Sequence, residues 1–279
     1  MHHANYFYGH AHQLARYCRL ADPAHPPRMR GYLQHGWNIG DGLAPGVPYV
    51  AGSPVFVWSE RTRRRAWSQG TRDVVVTGSP FAYLDRMTPP TAGERRGTIF
   101  YPFHGWEGQH VAGDHRRLVA ELRAIEPGPV TVCLYWNEHR QRKVRQLYER
   151  MGFRVICHGY RGSWWRDHDR DFLVRQLTEL RRHRRVVSNR VCSAIWYGLL
   201  AGCEAAVYGD PMILDNDDLT FGGEPRVRRQ WSELYGHTTD LETCRAMARD
   251  ELGADVLAEP EELRALFGWS SLAEDRRVA

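Results

Sequence analysis

Residues 184–211 (RRVVSNRVCSAIWYGLLAGCEAAVYGDP) bring a hydroxyl, an amide and a guanidinium together at Ser188, Asn189 and Arg190, where an apolar run ends. A buried strand closing at Val187, with Ser188 or Asn189 capping a helix that runs to Gly202, would present unpaired N–H groups and a positive dipole end to an anion. Arg190 and Ser193 lie in the first turn of such a helix and could add donors to a phosphate. An ordinary capped helix uses the same residue types, so the stretch alone does not specify a ligand. A second cluster, residues 101–110 (YPFHGWEGQH), follows another apolar run and carries His104, Gly105, Glu107 and His110. Gly105 and Gly108 allow a backbone to approach a ligand closely. His104 with Glu107 or His110 has metal-ligating residue types, but the spacing follows no helix face, and no metal is expected. Tyr160 and Arg161, inside GYRG, could stack on a nucleobase and pair with a phosphate, or form a plain surface loop.

These residues need a scaffold that delivers them to one edge, and the hydrophobic pattern supplies one. From residue 97 onward, short apolar runs (GTIFYPF, PVTVCLYW, FRVICHG, RRVVS, CEAAVYG) alternate with amphipathic stretches such as GDHRRLVAELRAI, in which Leu118, Leu122 and Ile125 share a helix face. Strands of continuous apolar character separated by helices are the mark of a doubly wound parallel sheet, whose ligands bind at the carboxyl ends of the strands. The first part, to about residue 92, reads as a smaller βαβ arrangement: GYLQHGW, then VFVW, a helix over residues 60–70, and VVVTG. The Pro- and Gly-containing stretch 87–96 marks the boundary, which predicts a first lobe of residues 1–92 and a second of 93–279. The tail from Asp240 reads as one or two helices ending near Phe267.

Composition excludes several classes. The chain has 279 residues, 42% hydrophobic and 25% charged, as ordinary globular proteins do. No run reaches the roughly 18 apolar residues of a membrane span, and the start MHHANYFYGHAHQ lacks the apolar core of a signal peptide, so a cytoplasmic protein is expected. Six scattered cysteines without a CxxC pair read as free thiols. Lys143 is the single lysine among 38 basic residues, and the net charge of +5 favours an anionic partner. The basic run in WSERTRRRAW is one solvated helix face without a matching stripe elsewhere, so nucleic acid is not expected as a partner. Asp215, Asp217 and Asp218 lack the spacing of a calcium loop.

The Ser-containing helix start, the aromatic and Gly-bearing helix after it, and the short strand closing on Gly209-Asp210 together resemble the donor half of GT-B glycosyltransferases, above all the capsule and teichoic-acid transferases that use cytidine-linked donors. The chain departs from that pattern at Cys192, where a second hydroxyl is common, and at Asn189 and Arg190, where an acidic residue is common. Leu33-Gln34-His35-Gly36-Trp37 resembles the "HG" loop that supplies a catalytic histidine in that family, and the His104 loop resembles the histidine loop that meets the donor. The resemblance implies a GT-B-like α/β fold of two Rossmann-like lobes. It also implies a nucleotide-sugar donor bound by His104, Gly105, Glu107, Ser188, Asn189, Arg190 and Ser193, to which Tyr160 and Arg161 are added on their own chemistry, and a sugar or small-molecule acceptor met by the first lobe. His35 is the expected general base and Asp41 the alternative, since a neutral imidazole can take the proton of an acceptor hydroxyl. No cofactor or metal is then required. A sugar-nucleotide hydrolase or epimerase, or a non-catalytic nucleotide-sugar binder, fits the same scaffold. Any lipid-linked acceptor would be met by a peripheral membrane contact through exposed arginines and tryptophans.

Overall fold

The computed structural model describes residues 3–43, 49–90, 93–105, 111–162, 168–215 and 222–269. In chain order the elements are α1 (His10–Tyr17), β1 (Tyr32–Leu33), β2 (Val55–Val57), α2 (Glu60–Ser68), β3 (Val74–Val76), α3 (Pro80–Met87), β4 (Thr98–Tyr101), β5 (Val111–Ala112), α4 (His115–Ile125), β6 (Val130–Cys133), α5 (Trp136–Arg140), α6 (Arg142–Arg150) and β7 (Arg154–Ile156), followed by α7 (Phe172–Arg182), β8 (Arg185–Ser188), α8 (Ser193–Leu200), β9 (Glu204–Val207), β10 (Ile213–Leu214), α9 (Gly223–Gln230), α10 (Leu241–Leu252) and α11 (Pro260–Phe267). The protein is α/β, with parallel sheets in each of two compact units.

The first unit comprises Met1–Pro89, Tyr160–Val174 and Arg249–Ala279. Its sheet is β1-β2-β3, parallel throughout, with Tyr32 opposite Val55 and Val55 opposite Val74. Alternation along β2 sends Val55 and Val57 against Ala66 of α2 and Phe56 to the opposite face, where it meets Leu14, Tyr83, Leu263 and Phe267. Local chemistry sets the helix starts. The Ser59 hydroxyl accepts from the Thr62 amide to open α2, and the Ser79 hydroxyl accepts from the Ala82 amide to open α3, with Pro80 in the first turn.

This division differs from the sequence reading, which gave all of 93–279 to the second lobe. The apolar face of α11 and the indole of Trp269 are buried with Leu14 and Phe56, and the Trp269 Nε1 donates to the Pro27 carbonyl at 3.3 Å. The Ala258 amide donates to the Tyr83 hydroxyl at 2.9 Å. Residues 160–174 are tied in by Gln13 Nε2 donating to the Arg170 carbonyl at 3.0 Å and by the Arg16–Asp171 ion pair. Such long-range ties carry no signature in hydrophobic periodicity.

The second unit comprises Pro90–Gly159 and Arg175–Ala248. Its five-stranded sheet has the order β7-β6-β4-β8-β9 and is parallel throughout. One face (Phe100, Val132, Val187, Ala206) packs on Leu118, Val119 and Leu122 of α4 and Tyr148 of α6. On the other face Val186 is pressed so closely by Gly198 of α8 that a Cβ there would lie 2.3 Å from Val186 Cγ1. With helices on both faces the sheet is doubly wound, as the alternating pattern predicts. Each fully buried large apolar side chain in these layers contributes about 1.5–3 kcal/mol. Asp114 opens α4 by accepting from the amides of Arg116 and Arg117. Residues 136–150 form two helices and not one, because Gln141 is extended (φ −78°, ψ 100°) between α5 and α6. An antiparallel pair, β5 with β10, is added outside the main sheet. The six cysteines are free.

Candidate functional site

In the second unit the chain leaves β4 toward β6 and β7 on one side, and leaves β8 toward β9 on the other, so β4 and β8 flank the point where the winding reverses. That point, beyond the carboxyl ends of the strands, is where open parallel sheets bind ligands. The loops that meet there hold six of the sequence candidates: His104 and Gly105 after β4, and Ser188, Asn189, Arg190 and Ser193 at and after β8.

Their roles are divided differently from the expectation. Ser188 does not cap a helix. It ends β8, is buried, and its hydroxyl donates to the Tyr101 carbonyl at 2.7 Å while accepting from the Arg190 amide at 3.3 Å. The helix begins five residues later, at Ser193, with Cys192 as its N-cap and no side-chain cap hydrogen bond. Burial raises the Cys192 thiol above its ordinary pKa, so the cap is neutral at physiological pH. Asn189 joins two loops: its Oδ1 accepts from the Phe103 amide at 2.6 Å and its Nδ2 donates to the Asp210 carbonyl at 2.7 Å. The Arg190 guanidinium lies 4.0 Å over the Phe103 ring and donates to the carbonyls of Pro211 at 2.7 Å and Met212 at 2.6 Å. Ser188, Asn189 and Arg190 therefore build the walls of the switch point. The groups on its rim are His104, Ser193 and the first amides of α8.

His104 is exposed and stacks on Tyr135, with ring centroids 4.4 Å apart and planes 18° from parallel. Its Nδ1 lies 2.7 Å from the Gly105 carbonyl, which can only accept, so Nδ1 carries the proton and Nε2 is the acceptor nitrogen of the neutral ring. Tyr135 was not singled out from the sequence. Its signal was its place immediately beyond β6, at the same sheet edge. Glu107 lies outside the described residues, as do Trp106 and His110.

The remaining candidates, His35, Asp41, Tyr160 and Arg161, belong to the first unit, so Tyr160 and Arg161 fall with the expected acceptor side and not with the donor unit. Arg161 Nη1 lies 3.0 Å from His35 Nε2. The Phe7 ring meets His35 edge-on at 4.6 Å and Tyr8 lies 5.2 Å away. Tyr8 has φ 58°, in the left-handed region, and is held there by its amide donating to the Arg161 carbonyl at 2.8 Å. Gly9 follows at φ 75°, and a Cβ there would lie 2.2 Å from the Arg170 carbonyl oxygen, so only glycine fits. Burial, then the Arg161 charge, then His10 hold the His35 pKa well below 6.5. Asp41 Oδ1 accepts from the Leu43 amide at 2.9 Å, and the His35 amide donates to the Gly42 carbonyl at 2.8 Å, which closes the loop that follows β1.

Around this pair stands a histidine and aromatic cluster that the sequence reading passed over, although HANYFYGHAH announces it by composition. Burial lowers His10, the first residue of α1, to about 3. Burial, with the neighbouring charges of His168, Arg16 and Arg170, lowers His12 to about 4. Tyr6, His12 and His168 form a triangle with ring centroids 5.1–5.5 Å apart. Neutral imidazoles and phenols at such spacing offer the mixed stacking and hydrogen-bonding surface that a polyhydroxylated ligand needs. Among the described residues no group of three or more His, Cys, Asp or Glu side chains could hold a metal ion, and no helix is long and apolar enough to cross a membrane.

No protein-family model and no curated protein matches this chain. A solved structure from Listeria monocytogenes that carries the name of a UDP-N-acetylglucosamine 2-epimerase is similar at 14% identity and a TM-score of 0.38, over 77% of this chain. The match spans 53% of that chain, about half its length. A likeness of that size leaves the functional reading to the residues of the chain itself.

Proposed function

We propose that the protein is a glycosyltransferase that moves a sugar from a nucleotide-activated donor to an acceptor hydroxyl without a metal. The observation that carries the reading is the placement of His104, stacked on Tyr135, and of the α8 amides beside Ser193 at the switch point of a doubly wound sheet. The α8 N-terminus supplies partial positive charge for the donor phosphates, and the His104–Tyr135 pair supplies an aromatic face and a ring nitrogen. The first unit, with its histidine and aromatic cluster, takes the acceptor. In the transfer the acceptor oxygen bonds to the anomeric carbon, the bond from that carbon to the phosphate oxygen breaks with its electron pair staying on the nucleotide, and the hydroxyl proton passes to a base. His35 is that base when Nε2 is released from Arg161. Asp41 is the base when it is not.

The test is thermal stabilisation by CMP, CDP, UDP and GDP. One nucleotide should raise the melting temperature, and both His104→Ala and Tyr135→Ala should weaken its binding, whereas Asp41→Asn should leave binding intact. Release of nucleotide from a nucleotide-sugar only when an acceptor is added identifies transfer, and release without acceptor identifies hydrolysis. No stabilisation by any of the four nucleotides would overturn the reading.

A further inference from the structure

An arginine can donate hydrogen bonds but cannot accept one, so the 3.0 Å contact between Arg161 Nη1 and His35 Nε2 requires the lone pair to be on Nε2. In the neutral ring the proton then sits on Nδ1. That nitrogen is buried and has no hydrogen-bond partner among the described residues. A buried N–H without a partner is destabilising, and an acceptor atom supplied by a ligand would recover the lost hydrogen bond.

We propose that Arg161 is a positioning residue that locks His35 as its Nδ1–H tautomer, so that in the resting protein His35 presents a hydrogen-bond donor to a substrate oxygen and becomes a base only when Arg161 lets Nε2 go. The proposal rests on the transferase reading for the identity of the substrate oxygen, a sugar or small-molecule hydroxyl, but the lock itself is a property of the free protein. Several elements converge on the ring. Arg161 comes from the 160–162 segment, and its guanidinium lies 5.4 Å over Phe7, which in turn lies edge-on to His35. His10 comes from the start of α1 and Tyr8 from the turn before it. Of these, Arg161 is the permanent cation, and together with burial it opposes protonation of His35. The strained backbone at Tyr8 is hydrogen-bonded to Arg161 itself, which fixes the segment that carries the guanidinium.

The experiment is nitrogen-15 NMR of the histidine side chains in the full chain without ligand, assigned with His35→Gln and followed from pH 8 to pH 5, for the wild type, Arg161→Lys and Arg161→Met. The wild type should show one His35 tautomer, protonated at Nδ1, with no titration across that range. Arg161→Met should move the proton to Nε2 in a substantial fraction of molecules and shift His35 protonation toward higher pH, with burial still opposing it, while Arg161→Lys, which keeps a donor and a charge, should stay close to the wild type. A wild-type His35 protonated at Nε2, or a folded Arg161→Met protein with unchanged tautomer and titration, would overturn the proposal. If Arg161→Met does not fold, the wild-type tautomer and the lysine variant still decide it. Because no nucleotide or acceptor enters the measurement, failure of the transferase reading leaves this result standing, and the reverse also holds.

Discussion

Lowering the pH from 7 to 5 should destabilise the first unit more than the second, and the size of the effect follows from where the histidines are buried. His10 in the first unit and His158 in the second are both almost inaccessible to water, and burial lowers each to about 3. In the unfolded chain the same side chains titrate near the ordinary value of roughly 6.5. Between the two values the unfolded state binds more protons than the folded state, so stability rises with pH. The contribution is complete above the unfolded pKa and is lost as the pH falls below it. At pH 5 an unfolded imidazole is almost fully protonated while the folded one is not, and integrating the difference from pH 7 gives a loss of about 2 kcal/mol per buried ring. The second unit loses this in full through His158, and His115, His139 and His183, which burial lowers less, act in the same direction. The first loses it through His10, and His12, lowered to about 4, and His35 act in the same direction. Unpaired carboxylates, with ordinary pKa values of about 4, stay ionised at pH 5 and contribute little. The assay is urea unfolding at pH 7, 6 and 5, followed by hydrogen exchange of peptides from each unit, which reports the two transitions separately. His10→Leu should flatten the pH dependence of the first unit relative to its own value at pH 7. A first unit no more acid-sensitive than the second, or a slope unchanged by His10→Leu, would refute the assignment of buried neutral histidines.

Three further substitutions test the architecture of the switch point and its sheet. Asn189→Ala removes the acceptor for the Phe103 amide and the donor for the Asp210 carbonyl, and should cost about 2–4 kcal/mol in urea unfolding, because two backbone groups are left without partners. Gly198→Ala should lower stability: the about 1 kcal/mol gained in helix propensity is outweighed by overpacking of about 1–3 kcal/mol against fully buried Val186, and the double variant with Val186→Ala should recover part of the loss in a double-mutant cycle. Glu126→Ala strips the carboxylate that accepts from Thr98 at 2.6 Å and Tyr208 at 2.9 Å and pairs with Arg185 at 3.0 Å, and the arginine left buried makes a loss of about 3–5 kcal/mol the expected result by chemical denaturation.

The second unit was legible in the sequence because a parallel strand buried on both faces is largely apolar, and Ile99, Phe100, Val132, Val186, Val187, Ala205 and Ala206 are all buried in runs readable by eye. The helix start was misplaced for an instructive reason. Ser188 has the side chain of a cap, and its hydroxyl does accept from the Arg190 amide, but Ser188 is the last residue of β8, tied to the neighbouring strand through the Tyr101 carbonyl, and the helix begins only at Ser193. Asn189 and Arg190 are likewise drawn to the loop after β9, which lies 21 and 22 positions away in the chain. Residue type proposes a hydrogen bond, and competition among partners in three dimensions decides it.

The same distinction governs His35. Its candidacy as a base came from the residue type and its loop, whereas basicity depends on what holds each ring nitrogen. The residue that holds Nε2 lies 126 positions away. No spacing rule connects Leu33-Gln34-His35-Gly36 to Gly159-Tyr160-Arg161-Gly162, yet the two loops were each singled out separately, one for a proton and one for a phosphate. Their meeting in one unit ties those two chemistries together: whatever draws the Arg161 guanidinium away also uncovers the His35 lone pair. If an anionic group on a substrate does so, binding and deprotonation become a single event, and the pH dependence of turnover should then follow substrate occupancy of Arg161 in place of the intrinsic pKa of a free imidazole. Measuring that dependence at saturating and at limiting substrate separates the two: a profile identical under both conditions would show that His35 and Arg161 act independently.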